Sequence, residues 1–157
     1  MSVKNTPMQS HSLRDFLKVE LVSNRGTFSP GKKPKLICPF CQKEILHSDP
    51  EMHEGLISRG QVQGSGKEDL IHSRYNCLLV HSNCHRGIVG VGGDKYFEIS
   101  VRHLVEEEGY YEVRKWLESM ATEFEIVGQE ALKRFDGIEF LIEYKTTKWD
   151  AISDYMD

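Results

Sequence analysis

The pattern of apolar and polar residues predicts a helix near the N-terminus, followed by a basic linker. Residues 12–22 carry apolar side chains at the intervals of an amphipathic helix, with Ser12 as a candidate N-cap. The apolar positions are Leu13, Phe16, Leu17 and Leu21. Residues 23–35 contain glycine, proline and four basic side chains, which indicates an extended linker that is either a solvated loop or an arm that contacts phosphate groups. The four are Arg25, Lys32, Lys33 and Lys35. Residues 1–35 are therefore predicted to be an N-terminal helix and basic linker.

The middle of the chain is predicted to alternate short strands with loops and to close on a helix. Residues 35–37 and 51–57 are predicted strands, and the apolar run at 77–80 is short enough for a buried strand. Residues 59–75 are rich in glycine, serine and charge, which indicates a loop with a helical turn near 67–72. A helix is predicted to start at residue 81 or 82, and the four glycines between residues 87 and 93 are expected to end it.

The last third of the chain is predicted to be an acidic, mainly helical extension covering residues 93–157. Residues 94–107 form the first predicted helix, with Asp94 as its cap, and Gly109 separates it from a second one. The apolar faces of the two helices are Phe97, Val101, Leu104, Val105, Val113, Trp116, Leu117 and Met120. Alternation of apolar and polar residues from Ile138 to Tyr144 predicts a strand.

The charge of the chain is unevenly distributed, and this changes what its net charge of −4 means. Residues 1–49 hold eight Lys/Arg and four Asp/Glu, a net charge of +4, whereas residues 101–157 hold seven and fourteen, a net charge of −7. Affinity for phosphate depends on local positive charge. The N-terminal half is therefore expected to face nucleic acid. No apolar run approaches the roughly 20 residues that span a bilayer, so the cytoplasm is the expected location and no membrane partner is expected.

Two cysteine pairs predict a structural zinc site. Cys38 and Cys41 are separated by two residues, as are His81 and Cys84, and this gap lets two ligands reach one tetrahedral zinc ion. Three thiolates and one imidazole would leave no open position, so the site would stabilise the fold. Cys77 is an alternative fourth ligand in place of His81, although it lies in an apolar strand where a thiol packs well.

The motifs between residues 36 and 90 resemble the HNH endonuclease family, particularly its small phage-type members. The resemblance rests on the order and spacing of Cys38-x-x-Cys41, Met52-His53-Glu54, Asn76 before an apolar strand, and Cys84-His85. It implies an α+β fold in which residues 36–92 form a zinc-stapled, treble-clef-like core of the ββα-metal type.

The resemblance also implies roles for individual residues. His53 and His85 would bind one catalytic divalent metal, such as Mg²⁺ or Mn²⁺, while Asn76 would brace the active-site loop. Glu54 occupies the position of the general base, where the commoner family pattern has histidine. Adjacent strand residues point to opposite faces, so both can serve only if the strand bends there. The alternative assignment makes His53 the base and Glu54 an indirect contributor.

The function expected from this resemblance is metal-dependent hydrolysis of phosphodiester bonds in DNA, with double-stranded DNA as the partner. A phage-encoded nuclease acting in the host cytoplasm is the family-level expectation. Basic residues near the predicted cleft and in the linker are candidate phosphate ligands. They are Arg59, Arg74, Arg86, Lys32 and Lys33. Two other functions stay open: a zinc-stabilised module that binds nucleic acid without cutting it, and a partner-binding protein that uses its acidic C-terminal region.

Overall fold

The predicted α+β class is confirmed by a computed structural model, which contains two small antiparallel sheets and several helices. The structure describes residues 5–27, 30–32, 35–45, 50–91 and 93–142. The elements in chain order are α1 (Asn5–Arg25), β1 (Leu36–Ile37), β2 (Glu44–Ile45), β3 (Pro50–Glu54), α2 (Arg59–Val62), a 3₁₀ helix (Glu68–Ile71), β4 (Cys77–His81), α3 (Ser82–Val91), α4 (Asp94–Glu108), α5 (Tyr110–Glu123) and α6 (Glu125–Asp136).

The two sheets are both antiparallel hairpin-like pairs, and each contributes to the candidate site. β1 pairs with β2, and the turn between them carries the first cysteine pair. β3 pairs with β4 in a register that places Pro50 opposite His81 and His53 opposite Leu78. Because α3 follows β4 without a loop, the end of β4 and the first turn of α3 lie directly beside the start of β3.

β4 forms the centre of the core, as its apolar composition predicts. Residues 77–80 are all buried, and Leu17 and Leu21 on one face of α1 are buried in the same cluster. That cluster continues through α4, α5 and α6, so the apolar faces of the C-terminal helices pack onto the core rather than apart from it. Burial of this apolar area is the main source of stability for the described part of the chain.

α1 is longer than its predicted range and is anchored by an arginine. The helix begins at Asn5 rather than after an N-cap at Ser12, and it ends at Arg25. Arg25 is not part of a phosphate-contacting arm, because its guanidinium is buried and donates hydrogen bonds to the carbonyl oxygens of Cys77 (2.6 Å) and Arg74 (2.7 Å). Burial lowers the pKa of Arg25, and the carboxylate of Glu108 at 3.5 Å partly opposes that effect.

The C-terminal helices follow the predicted pattern with two differences. Gly93, rather than Asp94, precedes the first turn of α4. Gly109 has a φ of 99°, a conformation that suits glycine and separates α4 from α5 as predicted. α6 was not predicted as a separate helix; it packs closely on α5, and a Cβ at Gly128 would lie 2.2 Å from the carbonyl oxygen of Met120.

The strand predicted from Ile138 to Tyr144 is wrong within the described residues. Residues 140–142 are helical, and the buried side chains are Ile138 and Leu141, three positions apart, while Ile142 is exposed. The buried side chains are therefore three positions apart, as in a helix, whereas the alternating sequence pattern predicted burial of every second residue. Tyr144 lies outside the described residues. No helix in the described ranges has the length and apolarity required to cross a membrane.

Candidate metal centre and active site

Four predicted zinc ligands come together at one point of the structure. The donor atoms of Cys38, Cys41, His81 and Cys84 all lie within 4.8 Å of one another. Cys38 and Cys41 come from the turn between β1 and β2, His81 ends β4, and Cys84 lies in the first turn of α3. The turn is closed by a hydrogen bond from the backbone N–H of Gln42 to the carbonyl oxygen of Cys38, with Gln42 at a φ of 64°. The group can hold a zinc ion.

The hydrogen bonding of His81 presents the correct nitrogen to this group. Nε2 of His81 lies 2.9 Å from the carbonyl oxygen of Glu44, which can only accept a hydrogen bond. Nε2 therefore carries the proton, and Nδ1 directs its lone pair towards Sγ of Cys41, 3.1 Å away. A backbone carbonyl that orients a ligating imidazole in this way is a usual partner of histidine in metal sites.

The thiols of the group interact strongly enough to change one another's ionisation. Burial and the neighbouring Cys41 and Cys38 raise the pKa of Cys84 to about 12. Burial also raises the pKa of Cys38, but hydrogen bonds from the backbone N–H groups of Cys41, His81 and Phe40 lower it to about 7. Three thiols this close cannot all ionise unless a cation neutralises them, and a bound zinc ion would do so.

Cys77 does not belong to this group. Its thiol is buried 3.6 Å from the carbonyl oxygen of Ile71, and burial raises its pKa to about 12. The alternative in which Cys77 replaces His81 as a ligand is therefore wrong for the group that the structure forms. Cys77 is instead packed within the apolar strand β4, as its sequence surroundings predict.

His53 and His85 form a second pair of interest beside the cysteine group. Their ring centroids are 5.3 Å apart with an interplanar angle of 66°. Two imidazoles that share one tetrahedral metal have centroids roughly 5 Å apart, given metal–nitrogen bonds of about 2 Å. The described residues contain no other group of three metal-binding side chains whose donor atoms lie within 4.8 Å. A metal held by this pair would therefore need further ligands from water or substrate, as catalytic sites commonly do.

Glu51 contacts this pair through His85, and no role for Glu51 is predicted from the sequence. Oε2 of Glu51 lies 2.7 Å from Nδ1 of His85. Because a carboxylate accepts, Nδ1 of His85 carries the proton and Nε2 is left with its lone pair available. Glu51 and His53 are two positions apart on β3, so both side chains lie on the same face of the strand. That alternation was the signal in the sequence that could have identified Glu51.

Glu54 lies on the other face of β3 with different partners. Its carboxylate accepts a hydrogen bond from the backbone N–H of Arg59 at 3.1 Å and lies 3.7 Å from Nε2 of His72. Burial raises the pKa of Glu54, but His72, the Arg59 N–H and the positive charge of Arg14 lower it overall. The structure brings Glu51, rather than Glu54, to His85.

Asn76 has the contacts expected of a brace. Its side chain is fully buried, and Oδ1 accepts hydrogen bonds from the backbone N–H groups of Leu56 and Ile57, both at 3.0 Å. Nδ2 donates to the carbonyl oxygens of Ile57 (2.8 Å) and Ile71 (2.9 Å). The amide thereby holds the segment after β3 against the 3₁₀ helix and completes its own hydrogen-bonding capacity.

No protein-family model, curated protein or solved structure matches this chain.

The basic residues predicted to bind phosphate have different surroundings. Arg74 is engaged by Glu108, with Nε and Oε1 2.6 Å apart, and that hydrogen bond raises its pKa. Arg86 is exposed and donates to Oδ1 of Asn83. Arg59 and Lys32 are exposed, while Lys33 lies outside the described residues. Arg74 is therefore the poorest candidate among those described, since its charge is already neutralised.

A cleft of about 360 Å³ opens at Glu51 and His85. Its lining residues are Arg14, Asp15, Lys18, Glu51, Met52 and His85, so α1 forms one wall and β3 with α3 forms the other. A larger cavity of about 460 Å³ lies between β1 and α4 around His103, and its described lining contains none of the predicted metal ligands or catalytic residues. The smaller cleft is therefore the relevant one, because it alone of the two is lined by one of the paired imidazoles, that of His85.

Proposed function

We propose that this protein is a metal-dependent DNA endonuclease of the HNH type, with β3, β4 and α3 forming a ββα-metal core inside residues 36–92. The observation that carries the proposal is the position of His53 and His85, whose rings are 5.3 Å apart next to a Cys₃His group. Hydrolysis of a phosphodiester requires an activated water and a cation that stabilises charge on the phosphate. Mg²⁺ or Mn²⁺ held at this pair would supply that stabilisation.

The roles of the protein's own residues follow from their hydrogen bonds and burial. Glu51 holds the proton on Nδ1 of His85, so Nε2 is the atom available to a divalent metal. Burial and the neighbouring His85 lower the pKa of His53 to about 4, so its imidazole is neutral at pH 7 and can either ligate a metal or accept a proton from water. Asn76 and the zinc group hold the strand and helix that carry these side chains.

Plasmid nicking in the presence of Mg²⁺ or Mn²⁺ tests the proposal. The purified protein is expected to convert supercoiled plasmid to open circles, and His53→Ala and His85→Ala are each expected to abolish this conversion. His103→Gln is the matched control, because His103 lies in α4 and lines the other cavity. Nicking by both site variants at the wild-type rate would remove this site as the catalytic one.

A second candidate function is nucleic-acid binding without cleavage. It is favoured by the engagement of Glu54, which is the residue at the family's base position, with His72 and Arg59. A binding module would shift DNA in a gel with either metal present and leave the plasmid supercoiled. Its affinity would fall steeply as the salt concentration rises. A protein partner of the acidic C-terminal region stays a prediction beside both functions.

A further inference from the structure

The wall that α1 contributes to the cleft carries two basic side chains for which the described part of the chain shows no ion pair, although the charge of Arg14 also acts on Glu54. Arg14 and Lys18 both line the cleft that contains Glu51 and His85. Within the described ranges neither of them forms an ion pair or a side-chain hydrogen bond, although other basic side chains nearby do. Cations that line a cleft and have no carboxylate partner are free to bind an anionic ligand.

The position of the two residues on α1 is determined by the packing of the helix. Leu17 and Leu21 are buried against the core, and Arg25 donates hydrogen bonds to carbonyl oxygens at and just before the start of β4. These contacts set the rotation of α1, and helical periodicity then directs Arg14 and Lys18 to the cleft. Residues four apart lie on the same face, about 6 Å apart along the helix axis.

The cleft also contains carboxylates, whose negative charge opposes the binding of an anion. Asp15 and Glu51 line the same space, so the cleft is not uniformly positive. Oε2 of Glu51 accepts a hydrogen bond from Nδ1 of His85 at 2.7 Å, so the carboxylate is directed at the imidazole. A divalent metal at the paired imidazoles would add positive charge next to Arg14 and Lys18, so the cleft gains anion affinity in the state that the proposed function requires.

We propose that Arg14 and Lys18 are positioning residues that bind the backbone phosphates of a DNA strand and hold it across the cleft at His85. This inference rests on the proposed function for the identity of the substrate. It also assigns α1, which lies outside residues 36–92, to the substrate-binding surface. The two side chains act on phosphates beside the one that is cut and carry no sequence information.

Binding of a fluorescently labelled DNA duplex, measured by anisotropy at several salt concentrations, tests this inference. The full chain with His53→Ala serves as background, so that the duplex stays intact. Arg14→Gln and Lys18→Gln are each expected to weaken binding several-fold, and the double variant at least 10-fold. Each lost phosphate contact should also lower the slope of log affinity against log salt by about 1. The charge-preserving Arg14→Lys variant should retain most of the affinity.

Lys115→Gln is the matched control, because Lys115 is an exposed lysine on α5 outside the lining of the cleft. Thermal unfolding and zinc content check that every variant folds. Binding by the double variant with the wild-type affinity and salt slope would overturn the inference. The same result in Arg14→Lys as in Arg14→Gln would also contradict it, since the charge would then be irrelevant.

Nicking by the protein with its native His53 separates this inference from the proposed function. If that protein does not nick plasmid but the double variant loses DNA affinity, the phosphate-binding role stands and the nuclease proposal fails. If it nicks and the double variant nicks with an unchanged KM, the nuclease proposal stands and the role of Arg14 and Lys18 fails. The supporting outcome is a raised KM with kcat little changed, because contacts to remote phosphates act on binding.

Discussion

Oε2 of Glu51 lies 2.7 Å from Nδ1 of His85, and this contact joins β3 to α3 across the opening of the candidate active site. The two residues are 34 positions apart in the chain. A carboxylate at Nδ1 selects the tautomer in which Nε2 is unprotonated. In the proposed nuclease, the contact would therefore orient His85 for a metal.

Glu51→Gln is expected to lower affinity for Mn²⁺ and the nicking rate by about 10-fold, and Glu51→Ala by about 10- to 100-fold. Gln keeps an acceptor oxygen but loses the charge that stabilises a positively polarised imidazole. Calorimetric titration with Mn²⁺ and plasmid nicking measure the two effects. Glu98→Gln, an exposed carboxylate on α4, is the control and should change neither. Unchanged Mn²⁺ affinity in Glu51→Ala would show that Glu51 does not orient a ligand.

The cysteine group is expected to hold about one zinc ion per chain and to contribute strongly to folding. Cys84→Ser should reduce the zinc content to near zero and lower the midpoint of thermal unfolding, since one of four ligands is lost. Cys77→Ser is the matched control, because this thiol is buried outside the group and should leave the zinc content unchanged. Metal analysis of the purified proteins decides between them, and zinc loss in Cys77→Ser alone would contradict the assignment.

Asn76→Ala is expected to lower the free energy of unfolding by roughly 2–4 kcal/mol, because it removes the partners of buried N–H and carbonyl groups. The groups left without their amide partner belong to Leu56, Ile57 and Ile71. Asn76→Asp should not restore stability, since a carboxylate would face the carbonyl oxygens that the amide nitrogen now serves. Urea unfolding gives the free energies.

The control for this measurement is Asn83→Ala. Asn83 is exposed on α3, and its side chain accepts a hydrogen bond from Arg86 at the surface. A change below about 0.5 kcal/mol is expected there. Equal losses at Asn76 and Asn83 would mean that the buried amide network has no special role.

His103 is expected to make the fold sensitive to acid. Burial, followed by the charge of Arg25, lowers its pKa from 6.5 to about 4. The unfolded chain therefore takes up this proton first as the pH falls, so stability is intact above pH 6.5 and is lost progressively towards pH 4. The loss from this residue should be on the order of 3 kcal/mol. Unfolding of His103→Gln, measured from pH 7 to pH 4, should lack that part of the pH dependence.

The wild-type and His103→Gln curves must be compared as differences, because His53 has a similarly lowered pKa and contributes over the same range. Lys95→Gln is a suitable control, since it changes an exposed side chain on the same helix, α4. Parallel curves for wild type and His103→Gln would show that His103 is not protonated on unfolding.

Much of the local structure could be predicted because it depends on short-range spacing. The two-residue gaps in Cys38-x-x-Cys41 and His81-x-x-Cys84 each form a compact unit, and the structure brings the two units together. The apolar run at 77–80 and the helical face that includes Val101 and Leu104 also occupy the predicted elements. Periods of two and 3.6 residues are visible within a few positions of sequence.

Secondary structure could not be predicted from the sequence where a strand pattern and a helix pattern overlap. Residues 138–142 combine an alternating pattern with apolar residues three apart, and only packing against the core decided for the helical arrangement. The helix predicted to start at residue 81 or 82 and to end among the four glycines between residues 87 and 93 is confirmed, since α3 runs from Ser82 through Gly87 and Gly90 to Val91. Glycine weakens a helix by about 1 kcal/mol, so a packed helix can contain it.

By itself, the sequence determined the α+β class, the candidate zinc ligands and the buried strand, since each depends on neighbours within a few residues. Only the tertiary structure decided which charged side chains are free to act. Arg25 and Arg74, predicted as basic surface groups, are held by carbonyl oxygens and Glu108, whereas Arg14 and Lys18 line the cleft and form no ion pair within the described ranges. Charges pair between residues that lie up to 83 positions apart in the chain. The spacing of residues in the sequence does not show which of them are close in space.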